Sequence, residues 1–149
     1  MRLKSYTDYA LRVLMHLAAR PDRLASIGEI ARTYRISHNH LMKVVQDLRT
    51  EGLLDAVRGR SGGIRLARSA TEISVGEVVR PTEGTFDLVD CESCVIARAC
   101  SLTGALHEAR GAFMAVLDAY SLADLVQDRQ HGLRELIESF DKESPAKAA

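Results

Sequence analysis

All three cysteines of the sequence lie within one segment of ten residues, in the pattern Cys91-x2-Cys94-x5-Cys100. The chain starts without the apolar core of a secretion signal, so a framework of disulfides is not expected. Thiolates grouped at this spacing are soft ligands that select zinc or an iron–sulfur cluster. The spacing alone leaves both metal centres open. Three unrelated buried thiols are the interpretation without a metal, although structural cysteines seldom gather in a polar loop.

Zinc and iron–sulfur centres usually take four ligands, so one ligand must come from outside the three cysteines. Asp90, Glu92 and His107 are oxygen and nitrogen donors near them in the sequence, whereas Asp8 is distant. Neither a glycine-rich dinucleotide motif nor a nucleophile elbow accompanies these residues. The sequence therefore does not indicate an enzyme or an electron-transfer protein.

The 149 residues have zero net charge, but the charge is unevenly distributed. Residues 1–68 hold 13 Lys and Arg against 6 Asp and Glu, a net charge of +7, and residues 69–149 hold 7 against 14, a net charge of −7. The first half therefore suits a polyanion such as DNA. Aromatic residues make up only 5% of the chain, which argues against stacking on single-stranded bases. No apolar run reaches the ~18–20 residues of a membrane span, and a cytoplasmic protein with no membrane partner is expected.

Apolar residues at helical spacing predict three helices in the basic half of the chain. Ser26, with Glu29 three residues later, has the spacing of a capping box at the start of the second helix. Ser37 is the expected cap of the third helix, and Gly52 is expected to end that helix in a left-handed conformation. The predicted helices are Tyr6–Ala19, Ser26–Tyr34 and His38–Glu51.

Two short strands are predicted after the third helix, at residues 53–57 and 64–67, with a glycine-rich hairpin at 58–63 between them. A further helix over Ile73–Val79, capped by Ser74, is expected to end at Pro81. A helix, a helix-turn-helix and a two-stranded hairpin follow one another in a winged helix-turn-helix. The sequence therefore predicts a mainly α protein with a DNA-binding domain at residues 1–80.

The acidic half predicts a cysteine loop at residues 81–101, followed by helices at 102–140 and a flexible tail at 141–149. The first of these helices is long, and its apolar residues step by four and three, as in a seam that packs against a partner helix. A core helix of the same chain is the alternative. Two short helices, Leu122–Val126 and Leu133–Phe140, are expected to follow it. The residues of the seam are Leu102, Leu106, Ala109, Phe113, Val116 and Tyr120.

The second helix of a helix-turn-helix places its N-terminal residues against base edges in the major groove. Here that end carries His38, Asn39, His40 and Lys43, all outside the apolar stripe. Asn can bind adenine through two hydrogen bonds, and Lys can donate to guanine. A polar helix face that only contacts solvent is the alternative.

Other basic residues are expected to bind the DNA outside the major groove. Arg58 and Arg60, at the tip of the hairpin, can enter a narrow minor groove, where the negative potential is enhanced. Arg2, Lys4 and Arg12 are expected to contact phosphates, which fix the register without reading the sequence.

Several of these segments resemble the Rrf2 family of winged-helix regulators. The resemblance covers roughly residues 1–137, nearly the whole chain. Within the family, Leu88-Val89-Asp90-Cys91 and the segment from Tyr120 to Val126 are similar to members that sense nitric oxide. The other matching segments are Met1-Arg2-Leu3, the run from Tyr6 to Arg12, Ile36-Ser37-His38-Asn39-His40-Leu41, the wing from Val57 to Leu66, and the cysteine loop.

The resemblance implies a homodimeric repressor that binds a palindromic operator in double-stranded DNA. It implies one 4Fe–4S cluster per protomer, bound by Cys91, Cys94, Cys100 and Asp8 of the other subunit, with reaction of nitric oxide at the cluster lowering DNA affinity. The first two cysteines are closer together than in those relatives, so a 2Fe–2S cluster is the alternative. Members with a histidine ligand carry it at the place of Thr103, which disfavours that variant here. A regulator of the same fold that senses iron or redox state, and a zinc-stabilised DNA-binding protein, are the other hypotheses.

Overall fold

The computed structural model describes residues 2–127 and 132–143. These residues form helices and one two-stranded antiparallel sheet, in the order that the sequence predicts. Among them, no helix is both long and apolar enough to cross a membrane. The helices are α1 (Ser5–Ala19), α2 (Ile27–Tyr34), α3 (His38–Thr50), α4 (Val75–Glu83), α5 (Leu102–Asp118), α6 (Leu122–Gln127) and α7 (Leu133–Glu143), and the strands are β1 (Leu54–Val57) and β2 (Gly63–Leu66).

Helix α1 lies at the centre of the fold, where it packs against α3, α4, α6 and β2. Its Ala10, Val13 and Leu14 side chains are fully buried, as are Leu41 and Val44 of α3. Burial of each of these Val and Leu side chains stabilises the fold by about 1.5–3 kcal/mol. Because the apolar stripe of α3 faces α1, the polar residues of α3 point to solvent.

The ends of the first three helices follow the sequence in part. The side chain of Ser26 accepts a hydrogen bond of 3.0 Å from the Glu29 amide, which confirms the cap of α2. Gly52 has a φ of +74°, which confirms the left-handed residue after α3. Ser37 occupies the N-cap position of α3, but its side chain makes no capping hydrogen bond, so that part of the prediction is wrong. The backbone of Ser37 has φ and ψ of −55° and 130°, and in this conformation its hydroxyl does not bind the amides of the first turn.

The wing is the hairpin of β1 and β2, in which Leu54 pairs with Leu66 and Val57 pairs with Gly63. Ile64 also exchanges two backbone hydrogen bonds with Ala25, of 2.8 and 3.1 Å, so an isolated antiparallel bridge joins the α1–α2 connection to β2. At Gly62 the backbone passes so close to the Val57 carbonyl oxygen that a methyl group would collide with it. The glycine-rich turn is therefore a steric requirement of the wing.

Helix α4 has the predicted cap, but it begins at Val75 and ends at Glu83, later at both ends than the predicted Ile73–Val79. Its N-cap Ser74 accepts a hydrogen bond of 3.1 Å from the Glu77 amide. Pro81 lies inside the helix, so the prediction that it ends the helix is wrong. A proline near the C-terminus removes only one backbone donor, and Glu83 is held two residues further on by hydrogen bonds to the start of α1. Gly84, with a φ of +70°, follows the last residue of the helix.

The predicted seam of α5 divides between two directions. Leu106 and Phe113 are half-buried within the chain, and the Phe113 ring stacks on Phe86 with centroids 5.5 Å apart. Leu102 and Val116 are more than half exposed, at 55% and 57%. Tyr120 lies beyond the end of the helix, and no residue of α5 is fully buried.

The C-terminal helix is longer than predicted. Asp141 belongs to α7, so the prediction of a flexible tail that starts there is wrong; residues 144–149 of that tail lie outside the described residues. The physical reason is an ion-pair network: the Asp141 carboxylate pairs with Arg20 and lies 3.3 Å from Arg23. These contacts join α7 to the end of α1.

Candidate nucleic-acid interface and cysteine loop

The N-terminal end of α3 presents a polar surface to solvent. His38, Asn39, His40 and Lys43 are all exposed. The opposite face of the helix carries the buried core residues Leu41, Val44, Val45 and Leu48. A helix anchored on one side and polar on the other can enter a major groove without losing its packing.

The wing presents two further exposed cations. Arg58 and Arg60 are exposed at the turn between β1 and β2. Gly59, between them, has a φ of +111°. Residues other than glycine rarely adopt this backbone conformation. The turn therefore carries two exposed guanidinium groups, the kind of group that the negative potential of a narrow minor groove attracts.

The three predicted phosphate contacts have different surroundings. Arg2 is exposed. The Lys4 ammonium donates a hydrogen bond of 2.6 Å to the Glu83 carbonyl oxygen, so it already has a partner within the protein. The Arg12 guanidinium binds both carboxylate oxygens of Asp8, at 3.0 and 2.9 Å, while both side chains remain almost half exposed.

The cysteine loop follows α4 and leads into α5 through a single turn of 3₁₀ helix, Ala97–Ala99. All three cysteines are free thiols; Cys94 is exposed, and Cys91 and Cys100 are half-buried. Consecutive turns place the Cys94 amide 3.4 Å from the Cys91 carbonyl oxygen. The Cys91 sulfur lies 3.4 Å from the Thr103 hydroxyl.

The three cysteines lie on one loop, but their side chains are not arranged as the ligands of a metal ion. Within residues 2–127 and 132–143, no group of three His, Cys, Asp or Glu side chains is placed so that it could hold a metal ion. The donor set nevertheless fits an iron–sulfur cluster or zinc, because three accessible thiols on one short loop are soft ligands. Closing the site requires the loop to gather its thiols and a fourth ligand to join them.

A cavity of about 680 Å³ opens beside Cys91, between the loop and the start of α5. The predicted nearby donors Asp90, Glu92 and His107 all line it. His107 Nδ1 lies 3.3 Å from the Arg110 guanidinium. Asp8 does not line this cavity; it lies on α1 and is bound to Arg12.

Two hydrogen bonds near the start of α1 join residues that are far apart in the sequence, so local patterns do not predict them. The Tyr6 hydroxyl donates a hydrogen bond to Asp47 of α3, and the buried Glu83 carboxylate accepts one from the Thr7 hydroxyl. The paired residues are 41 and 76 positions apart, respectively. No capping pattern or periodicity signals pairs so distant.

Helix α1 at the centre, helix α3 (the candidate recognition helix) with its exposed polar end, and the wing define a winged helix-turn-helix DNA-binding regulator. The chain belongs to the Rrf2 family, described as iron-dependent transcriptional regulators, whose family model matches residues 3–128. The match includes the whole winged helix-turn-helix, the cysteine loop and α5.

The chain is similar to several bacterial transcriptional regulators. The HTH-type transcriptional regulator NsrR of Bacillus subtilis is 50% identical over 136 residues, which cover 87% of this chain and 93% of that protein. The NsrR protein of Shouchella clausii is 46% identical over 144 residues, which cover 93% of this chain and 96% of that protein.

Solved structures of related regulators confirm the fold. The T. potens IscR structure has a TM-score of 0.74 and 25% identity, covering 89% of this chain and 91% of that one. The structure of CymR, the global cysteine regulator of B. subtilis, has a TM-score of 0.70 and 28% identity, covering 85% of this chain and 97% of that one. The predicted class, a mainly α winged helix-turn-helix, is confirmed.

Proposed function

We propose that this protein is a homodimeric transcriptional repressor that senses nitric oxide through an iron–sulfur cluster held by Cys91, Cys94 and Cys100. The observation that carries the proposal is the loop of three free, accessible thiols in a chain of an iron-dependent regulator family. The chain is 46% and 50% identical to the two NsrR proteins described above. This similarity favours a nitric oxide sensor over a regulator that senses iron or redox state. When bound, the cluster supplies iron that reacts with nitric oxide.

The proposed DNA target is a palindromic operator with one half-site for each protomer. His38, Asn39, His40 and Lys43 face base edges, Arg58 and Arg60 enter the minor groove, and Arg2 and Arg12 bind phosphates. Their exposure on one helix end, on one hairpin tip, before α1 and in the middle of α1 supports this assignment. Two recognition helices related by twofold symmetry suit half-sites one helical turn apart, or a multiple of one turn.

The dimer helix that we propose is α5. Its Leu102 and Val116 side chains are exposed, and a row of small residues, Ala105, Ala109 and Ala112, is exposed between them. Small side chains let a second helix approach closely. That helix would then cover the apolar surface that the protomer leaves in water. The face directed to a partner is narrower than the seam predicted from sequence, because Leu106 and Phe113 pack within the chain.

The fourth ligand that we propose is Asp8 of the partner subunit, with one 4Fe–4S cluster per protomer. Asp8 is almost half exposed on α1 and is not directed into its own chain's cavity. Both of its oxygens contact Arg12, so binding iron requires this ion pair to open. A carboxylate holds iron less tightly than a thiolate, which suits a site that must respond to a reactive gas.

Variants of single ligands test the site. Cys91→Ala, Cys94→Ala or Cys100→Ala should each abolish cluster assembly, measured as iron and sulfide per chain after anaerobic reconstitution, because each removes a strong soft ligand. Asp8→Ala should still assemble a cluster, with an altered absorption spectrum and faster loss. Asp90→Ala is the matched control, since this carboxylate lies beside Cys91, and it should leave the spectrum unchanged. Zinc without iron in the purified wild-type protein would contradict the proposal.

Mixed dimers test whether ligation crosses the interface. One chain carries the three Cys→Ala changes and the other carries Asp8→Ala. Cross-subunit ligation leaves one complete site in this dimer and predicts a wild-type spectrum at half the iron content. A spectrum that matches homodimeric Asp8→Ala would show instead that each chain supplies its own aspartate.

A further inference from the structure

The first turn of α1 is capped by a residue from another helix. Lys4, at the N-cap position, provides no side-chain cap of its own. Its backbone amide donates a hydrogen bond of 2.8 Å to the carboxylate of Glu83, and the Thr7 hydroxyl donates to the same oxygen. Thr7 is fully buried, and Glu83 is only 7% exposed. A carboxylate at this place satisfies an unpaired amide and lies favourably at the positive end of the helix dipole.

Glu83 also marks the root of the cysteine loop. It is the last residue of α4, and the loop begins at the next residue. Helix α4 is also fixed to α5: near its start, the missing side chain of Gly76 leaves room for the Asp118 carboxylate, which forms an ion pair with Arg80 further along the helix. Helix α4 thus connects the end of the proposed dimer helix to the first turn of α1.

The same turn of α1 contacts the recognition helix. The Tyr6 hydroxyl donates a hydrogen bond to the carboxylate of Asp47 on α3. Burial, the hydrogen bond and the negative charge of Asp47 all raise the pKa of Tyr6, so the hydroxyl remains a donor at neutral pH. Asp47 lies on α3 eight residues after Asn39, on the part of the helix that follows the proposed base-reading end.

We propose that Tyr6 and Glu83 are positioning residues for DNA recognition: Glu83 fixes the first turn of α1 to the root of the cysteine loop, and Tyr6 fixes the same turn to the recognition helix. Neither residue contacts DNA in this account. The buried apolar face of α3 sets the rotation of the helix only approximately, because apolar contacts are not directional. A directional hydrogen bond can fix the remaining rotation and the position of α3 along α1. The inference rests on DNA reading by α3 and is independent of the effector that the cysteine loop senses.

A double-mutant cycle tests the Tyr6 contact. The probes are the duplex that the wild-type chain selects from a randomised pool and a duplex of scrambled sequence, at one salt concentration. Tyr6→Phe keeps the ring and removes only the hydroxyl, and should weaken binding to the selected duplex about fivefold to tenfold, because one directional hydrogen bond is lost. Binding to the scrambled duplex should change less than about twofold, because phosphate contacts persist. In an Asp47→Ala background the Tyr6→Phe change should have no further effect.

Tyr9→Phe is the matched control, since Tyr9 is also half-buried on α1 and its hydroxyl makes no hydrogen bond with the described residues. It should bind both duplexes as the wild type does. Equal losses on both duplexes for Tyr6→Phe, or the same loss for Tyr9→Phe, would overturn the proposal. A Tyr6→Phe variant whose melting temperature falls while its selected-duplex affinity is retained would also overturn it.

The Glu83 contact is tested by rescue. Glu83→Gln retains an acceptor for the Lys4 amide and the Thr7 hydroxyl and should keep most of the selective binding, whereas Glu83→Ala should lose it about as Tyr6→Phe does. Equal selectivity in the two Glu83 variants would refute the capping role. If Glu83→Ala does not fold, Thr7→Val removes the hydroxyl donor with little change in volume and replaces it in the comparison. Failure of the wild-type chain to select any duplex would refute DNA reading itself, a result distinct from all of these.

Discussion

The side chains that we propose as DNA contacts have different surroundings. Asn39 and Lys43 stand exposed at the end of α3 with no partner among the described residues, and so are free to meet base edges. Arg12, by contrast, holds Asp8 through two contacts. A guanidinium has five donors, so Arg12 can bind a phosphate and a carboxylate together. The same residue therefore lies between the proposed DNA contacts and the proposed cluster ligand.

Replacing Asn39 and replacing Arg12 should have different effects on the sequence preference of DNA binding. Asn39→Ala should weaken binding by about 1–3 kcal/mol at one position of the operator, because it removes a base contact. Arg12→Ala should weaken binding to all sequences alike, because phosphate contacts position the protein without reading bases. Affinities for operators randomised one position at a time measure both effects. A uniform loss across all operators for Asn39→Ala would show that Asn39 does not read a base.

Local residue patterns predicted some of these positions and missed others for a physical reason. Ser26 and Gly52 were predictable because capping and left-handed conformations depend on a few adjacent residues. Tyr6 and Glu83 were not, because their partners lie 41 and 76 residues away and a hydrogen bond needs only that the fold bring two groups together. The spacing of the three cysteines predicts one ligand set, which stays a prediction, because the arrangement of thiols around a metal depends on more than their spacing.

At the scale of elements, helix periods and turn residues were sufficient for the winged helix-turn-helix, and tertiary contacts decided where the later helices end. Pro81 does not end α4, because Glu83 is bonded to α1 beyond it. Asp141 does not begin a tail, because Arg20 and Arg23 hold it in α7. Both errors arise where a local signal for ending a helix competes with a distant polar partner.

The wing is the element whose DNA contact is most directly measured by salt. Arg58→Ala and Arg60→Ala together should lower operator affinity and reduce the slope of log K against log salt by about one unit for each lost phosphate contact. Arg134→Ala with Lys142→Ala removes the same charge from α7 and serves as the control, with a smaller change of slope expected. If both double variants change the slope equally, the effect is that of net charge, and the wing makes no specific contact.

The whole molecule is held together in part by a polar cluster that joins α1, α2 and α7. His16 is buried, with its Nε2 2.8 Å from Arg20 and 3.7 Å from Glu29, and Arg20 pairs with Asp141. Burial, and next the positive charge of Arg20, lower the pKa of His16, although the carboxylates of Glu29 and Asp141 oppose this. His16 is therefore neutral in the folded protein at a pH where an unfolded histidine, with a pKa of about 6.5, takes up a proton.

This difference predicts a loss of stability in acid. As the pH falls below about 6.5, the unfolded chain binds a proton that the folded chain does not, so the free energy of unfolding decreases by up to about 1.4 kcal/mol per pH unit from this group. Urea unfolding at several pH values measures the slope, and His16→Gln should make it shallower. Identical slopes in His16→Gln and the wild type would contradict the account.

The central claim, that the cysteine loop controls DNA binding through an iron–sulfur cluster sensitive to nitric oxide, is tested most directly by one anaerobic titration. Nitric oxide is added to the reconstituted protein, and the absorption spectrum and operator affinity are measured on the same samples. We predict that the spectrum changes and that operator affinity falls in parallel by at least about tenfold, a coupling of ordinary allosteric size, while the chain without its three cysteines shows neither response. Unchanged operator affinity after the spectrum has been fully altered would contradict the account.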